Sequence, residues 1–197
     1  MVRRARARPI SARRFVSREF AASQQKGPFR MTIPTDVETA LNDQVNNELY
    51  SAYMYLGMAT WFDSLALTGF SAWMQAQCVE ELQHAQKLMQ FLSDQDATIT
   101  LKEIKAPPAT FDDPLAALET ALQAEQDNTE QINDIYELAV RQQDHATEVM
   151  MQWFIQEQVE EERSARTLIE RVRLAGNDRG ALLVLDAQLG ERSAATG

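Results

Sequence analysis

Two adjacent carboxylates followed by a histidine, Glu80-Glu81-Leu82-Gln83-His84, have the clearest capacity for chemistry in this chain. Positions three apart on a helix share a face, so Glu81 and His84 can hold one metal ion together, while Glu80 points about 100° away toward other partners. Glu-x-x-His alone is a weak signal, because short polar patterns arise by chance on many helices. It gains weight only if other elements bring ligands to the same level. The candidates are Glu48, Glu125 and the acidic run Glu157-Gln158-Val159-Glu160-Glu161-Glu162.

The elements that must position these residues are helices. The chain has 197 residues, enough for one substantial core, and only 7 glycines and 6 prolines, which favours long uninterrupted helices. Thr35-Asp36-Val37-Glu38 reads as a capping box that opens a first helix ending near Asp63, with the apolar stripe Leu41, Val45, Leu49, Ala52, Leu56 and Ala59. Glu48 and Tyr55 fall on that stripe. A second helix spans about Phe70 to Asp94, and its face runs Phe70, Met74, Gln77, Glu81, His84, Leu88, Phe91: apolar at both ends, polar in the middle. Residues 95–112 contain Pro107-Pro108 and scattered apolar residues, and read as an ordered crossover along the length of a bundle. Asp112 or Asp113 caps a third helix with Glu125 mid-stripe. Asp144 caps a fourth, from His145 to Ala175, with Glu157 and Glu161 in line with its core positions and Gly176 closing it. A short fifth helix covers Arg179 to about Leu189, and residues 192–197 read as frayed. The fold class is therefore all-α: an antiparallel four-helix bundle with a long crossover between helices 2 and 3 and a short C-terminal helix.

In such a bundle the helix midpoints meet at one level. Carboxylates crowded there lose hydration and repel one another, at several kcal/mol per ion. A pair of divalent or trivalent cations is the evident remedy. Oxygen-rich ligation with one imidazole suits iron or manganese better than zinc.

From about Thr35 to Leu189 the chain resembles the bacterial-type non-haem ferritins, part of the ferritin-like di-iron carboxylate group. The resemblance is carried by Asn47-Glu48-Leu49-Tyr50, by Glu80-Glu81-Leu82-Gln83-His84 and by Trp153-Phe154-Ile155-Gln156-Glu157-Gln158-Val159-Glu160-Glu161, with separations of 33, 44 and 36 residues between Glu48, Glu81, Glu125 and Glu161. It implies one iron on Glu48, Glu81 and His84, and a second on Glu81, Glu125 and Glu161, with Glu81 bridging. It places Gln158 beside the second iron as a weak ligand or water anchor, and Tyr55 next to the centre as a hydrogen-bond donor and electron source. Glu80, Glu157 and Glu160, with Glu161 shared, match a third, inner iron site. The implied activity is iron storage: Fe²⁺ is oxidised to Fe³⁺ by O₂ or H₂O₂ and mineralised inside a hollow cytoplasmic homo-oligomer of 24 subunits. A non-storage di-iron peroxidase or oxygenase of the same group is the alternative. Two departures from relatives stand out. Glu161 occupies the place of the histidine in a second Glu-x-x-His, and Leu82 stands where bacterioferritins carry a haem-ligating methionine, so no haem is expected.

Charge separates the chain into two parts. Residues 1–30 hold nine Lys or Arg against the single acid Glu19, a net +8, which leaves −18 on the other 167 residues of a chain whose total is −10. So acidic a body attracts cations and makes nucleic acid an unlikely partner. The basic leader reads as a mis-assigned start upstream of Met31, as a transit-like peptide or as a functional basic arm, which leaves residues 31–197 as the ferritin-like domain. No stretch approaches the ~20 apolar residues of a membrane span. The single cysteine, Cys78, permits no intrachain disulfide and reads as a small buried hydrophobe, while His145 reads as a solvated helix-start residue.

Overall fold

Where each helix stops is set by local chemistry. The computed structural model describes residues 33–196, with side chains as far as Glu191, so the leader of residues 1–30 lies outside the described residues. Five helices follow in order: α1 Thr35–Ser64, α2 Thr68–Asp94, α3 Pro114–Gln142, α4 His145–Ala175 and α5 Arg179–Thr196. Asp113 caps α3 by accepting from the Ala116 amide at 2.8 Å, with Pro114 in the first turn. Gln143 turns left-handed, and Asp144 then caps α4 through the Thr147 amide (3.2 Å) and hydroxyl (2.7 Å). Gly176, at φ +55°, ends α4.

Two expectations at helix ends fail for physical reasons. The capping box at Thr35 does not form, because Pro34 is the N-cap and the Glu38 carboxylate accepts instead from the Thr98 amide at 2.9 Å. The fifth helix continues past Leu189 to Thr196, since no glycine or proline follows Gly190 until the end of the chain.

Glu38 belongs to a ladder that straps the crossover to α1. Asn42 accepts from the Thr100 amide (2.6 Å) and donates to the Thr98 carbonyl (2.9 Å). Asn46 accepts from the Lys102 amide (2.6 Å) and donates to the Thr100 carbonyl (3.0 Å). The spacing explains why this works: four residues of helix advance about 6 Å, and two residues of extended chain advance about 6.6 Å. Side chains of one helix face thus satisfy the backbone of an extended segment as a neighbouring strand would. Farther along, Lys105 lies over the Tyr50 ring (4.7 Å), Pro107 packs where a Cβ on Gly57 would sit 3.2 Å from it, and Phe111 meets Trp61 edge-on (5.2 Å). The crossover therefore runs parallel to α1 for most of its length and delivers α3 to the end of the bundle where α2 began.

The core is divided. One apolar cluster gathers Met58, Phe62, Phe70, Met74, Leu118 and Leu168, and another gathers Leu41, Val45, Leu88, Leu92, Ile132 and Phe154. Between them lies a polar layer. The expected stripe of α1 is buried at Leu41, Val45, Ala52 and Ala59, with Glu48 and Tyr55 buried alongside, but Leu56 is 45% exposed. On α4 the buried line passes through Met151, Phe154, Gln158 and Ala165, leaving Glu157 and Glu161 half-buried at its edge.

α5 packs chiefly on α2. Asp186, on α5, accepts from the Phe70 amide at 2.9 Å and so caps an α2 N-terminus that has no local cap. Gly69 makes the approach possible, because a Cβ there would lie 1.7 Å from the Asp186 carbonyl oxygen. Gly69→Ala should therefore undock α5, with faster limited proteolysis within residues 179–196 and a loss of ~1–3 kcal/mol in chemical denaturation. Asp186→Ala, which removes only the cap, should cost ~1 kcal/mol and leave α5 protected.

Candidate metal centre

The polar layer holds Glu48 from α1, Glu81 and His84 from α2, Glu125 from α3 and Gln158 from α4, all buried, with Glu161 of α4 half-buried beside them. Ligand atoms of Glu48, Glu81 and His84 all lie within 4.8 Å of one another, close enough to share one metal ion. No lysine or arginine among the described residues pairs with any of the four carboxylates. The one ion-pair contact within the layer is His84 Nδ1 to Glu81 Oε2 at 3.4 Å.

Outer hydrogen bonds tether the peripheral carboxylates. Glu48 accepts from the amide groups of Gln44 (2.8 Å) and Asn128 (3.4 Å), which are themselves joined at 2.5 Å. Glu125 accepts from the Tyr55 hydroxyl on one oxygen and from Gln158 Nε2 on the other at 3.2 Å. Glu161 accepts from Gln77 Nε2 at 2.8 Å. Glu81, between them, receives no amide or hydroxyl donor among the described residues. Glu48 and Glu125 adjoin it, and burial with repulsion between these carboxylates favours its protonated form.

That environment raises the pKa of every carboxylate in the layer. Burial is the largest cause for Glu48, followed by repulsion from Glu81. For Glu81 it is burial followed by repulsion from Glu125. Burial raises Glu125 against the opposing hydrogen bonds from Tyr55 and Gln158, and burial together with Glu125 and Glu80 pushes Glu161 up to about 8. Tyr55 is raised well above the usual phenol value by burial and the adjacent Glu125, so it stays a donor.

The inner-site candidates are arranged less tightly. Glu80, Glu157 and Glu161 line a cavity of about 290 Å³ with His84, Lys87 and Trp153. Glu80 is exposed, and Glu160 points away from this cavity to Arg163, 3.6 Å off, with its side chain 71% exposed. Trp153 meets the His84 ring edge-on (5.5 Å), and Lys87 Nζ sits 4.0 Å from the centre of the Trp153 ring. His145, as expected, is on the surface, paired with Glu148 at 3.0 Å. The tethering amides Gln44 and Asn128 are not discernible as site residues from the sequence. Gln77 is discernible only as a polar interruption in the α2 face.

Residues 38–175 match the family model of the ferritin-like domain. The chain belongs to the ferritin family. A bacterial non-heme ferritin of Campylobacter jejuni is 34% identical over 151 residues, covering 77% of this chain and 90% of the relative. One from Staphylococcus aureus is 34% identical over 154 residues, covering 78% and 93%. The structure of an open pore ferritin from the archaeon Archaeoglobus fulgidus superposes with a TM-score of 0.80 at 45% identity, covering 81% of this chain and 98% of that one. Iron storage is the function this membership carries, and the Glu48–Glu81–His84 group gives this ferritin a place for a metal ion. No helix among its described residues is long and apolar enough to cross a membrane.

Because the site carboxylates bind protons more readily in the fold than in the unfolded chain, they favour the metal-free fold at low pH. That contribution is lost as pH rises from 4.5 towards about 8 for Glu161. The melting temperature of metal-free protein should therefore fall across that window. Saturating Zn²⁺, used as a redox-inert probe, should flatten the slope and release protons into a weakly buffered solution.

Proposed function

We propose that this ferritin is a ferroxidase in which Fe²⁺ is both substrate and cargo. The observation that carries the reading is the convergence of buried carboxylates from three helices and one imidazole on a level with no cationic side chain to balance them. Glu48, Glu81 and His84 hold one Fe²⁺. Glu81, Glu125 and Glu161 hold the second, and Glu81 bridges because its oxygens are not tethered from outside. Gln158 steadies Glu125 and anchors water beside the second iron. Tyr55 orients Glu125 from the opposite side and is placed to supply an electron. No haem takes part.

Charge balance gives the reaction its direction. Four carboxylates neutralise two Fe²⁺ ions but fall two charges short for two Fe³⁺ ions. Each Fe²⁺ gives up one electron. The pair of electrons with two protons converts O₂ to H₂O₂, or H₂O₂ to two waters. The excess positive charge that remains favours departure of Fe³⁺ toward Glu80 and Glu157, which line one cavity with Glu161 and form the third, inner site once Glu160 turns in from Arg163. Hard oxygen ligands favour Fe³⁺ throughout. Mineral then collects inside a shell of 24 identical subunits in the cytoplasm.

Mixing metal-free protein with Fe²⁺ in air and following Fe³⁺ absorbance tests the assignment. Glu81→Ala should slow oxidation by more than the ~10–100-fold that loss of an outer-shell partner usually costs. Wild-type rates in that variant would overturn the centre. Size-exclusion chromatography should show a large assembly, whereas a monomer or dimer would favour the non-storage di-iron peroxidase or oxygenase.

A further inference from the structure

We propose that the groove between α2, α4 and α5 binds a tetrahedral oxyanion, inorganic phosphate, beside the proposed iron outlet. This groove, a cavity of about 210 Å³, is lined by Trp73, Arg163, Ser164, Thr167, Arg171 and Leu189. Arg163, Thr167 and Arg171 are spaced four apart, so they share one face of α4 and present two guanidinium groups to the same space. Guanidinium groups with neighbouring hydroxyls make short charge-assisted hydrogen bonds to tetrahedral oxyanions.

The donors in this groove are uncommitted. Arg171 has no carboxylate partner among the described residues, although Arg141, Arg166 and Arg173 all have one. Arg163 has only the long contact to Glu160, at 3.6 Å. The Ser164 hydroxyl and the Trp73 indole N–H have no protein acceptor among the described residues, whereas the Thr167 hydroxyl donates to the Arg163 carbonyl at 2.7 Å. Two guanidinium groups, one hydroxyl and one indole N–H thus line a solvent-facing groove beside Trp73 and Leu189. No acidic residue lines it.

Its position suggests its use, an assignment that rests on the ferroxidase reading. Glu157, Glu160, Ser164, Thr167 and Arg171 follow one another at alternating steps of three and four along the same face of α4. The face is acidic at Glu157 and Glu160 and turns basic at Arg171, about 16 Å farther along the axis. Fe³⁺ leaving the carboxylates would meet a bound hydrogenphosphate, a hard oxygen ligand, and form Fe–O bonds to it as the remaining phosphate proton passes to water. Glu160 couples the two halves, because a cation on Glu160 releases Arg163 to the anion.

Equilibrium dialysis of metal-free full-length protein against inorganic phosphate at low ionic strength tests the site, since exposed ionic contacts are screened by salt. Wild type should bind phosphate saturably, one per chain. Arg163→Gln and Arg171→Gln should each weaken binding by ~10-fold or more. Glu160→Gln should tighten it by freeing Arg163, and Arg141→Gln, at the far end of α3, should leave it unchanged. Absence of saturable binding in wild type, or unaltered binding in the Arg163→Gln/Arg171→Gln double variant, would overturn the proposal. The double variant should oxidise Fe²⁺ at the wild-type rate in phosphate-free buffer. Because phosphate binding is read without iron, its failure leaves the ferroxidase assignment standing. Conversely, slow oxidation in the wild type leaves the anion site standing.

Discussion

Everything in this bundle is arranged around buried negative charge that no lysine or arginine among the described residues pairs with. Glu48, Glu81 and Glu125 are almost wholly enclosed, Glu161 is half-buried, and the only titratable nitrogen among them is that of His84. Leaving such groups ionised in a low-dielectric interior is far more costly than leaving them neutral, and burial raises the pKa of each. Stability must come from elsewhere, and the two apolar clusters on either side of the layer provide it. The division of the core is a consequence of the site: apolar residues could fill the layer with better packing, but then nothing would bind there.

The same constraint explains the uneven hydrogen bonding. A carboxylate that must present one geometry to a metal benefits from donors on its far side. Glu48, Glu125 and Glu161 each have such donors, from Gln44 and Asn128, from Tyr55 and Gln158, and from Gln77. A carboxylate that bridges two ions needs both oxygens free. Glu81 receives no amide or hydroxyl donor among the described residues, and His84 Nδ1 lies 3.4 Å from its Oε2. The single imidazole makes the two halves unequal, one offering nitrogen and oxygen and the other oxygen alone.

The residues proposed as ligands could be singled out in the sequence because each contradicts its surroundings. A glutamate in the middle of an apolar helical face is anomalous, and such anomalies at matched depth on four helices leave little room for chance. What escaped the sequence was polar without being anomalous. Gln44 and Asn128 look like ordinary exposed helix residues until α1 and α3 are placed side by side, and their partners lie as many as 84 residues away. Helix ends fared similarly. Asp113 and Asp144 act on their own helices and were readable, whereas Glu38 is drawn off to the crossover and α2 is capped by Asp186, 116 residues distant. On α1 the stripe was readable at Leu41, Val45, Ala52 and Ala59 and carries Tyr55 inside to bond Glu125, while Leu56, about 100° farther around the helix, faces outward.

The crossover is a requirement of the site as much as a connector. A short hairpin after α2 would start α3 at the end of the bundle where α2 stops, reversing its direction and moving Glu125 away from the level of Glu81. Residues between Asp94 and Pro114 carry the chain back along α1 instead. An extended segment on a surface leaves backbone groups to be satisfied, and the four-residue repeat of Glu38, Asn42 and Asn46 matches the two-residue repeat of Thr98, Thr100 and Lys102 closely enough to do so. The face of α1 that grips the crossover and the face that carries Glu48 are different faces of one helix. α1 therefore fixes both the direction in which α3 enters and the depth at which its own carboxylate meets Glu81. The register of the centre follows from that double duty, since slipping α3 by one turn would break neither apolar cluster entirely but would carry Glu125 about 5.4 Å out of reach of both Tyr55 and Glu81.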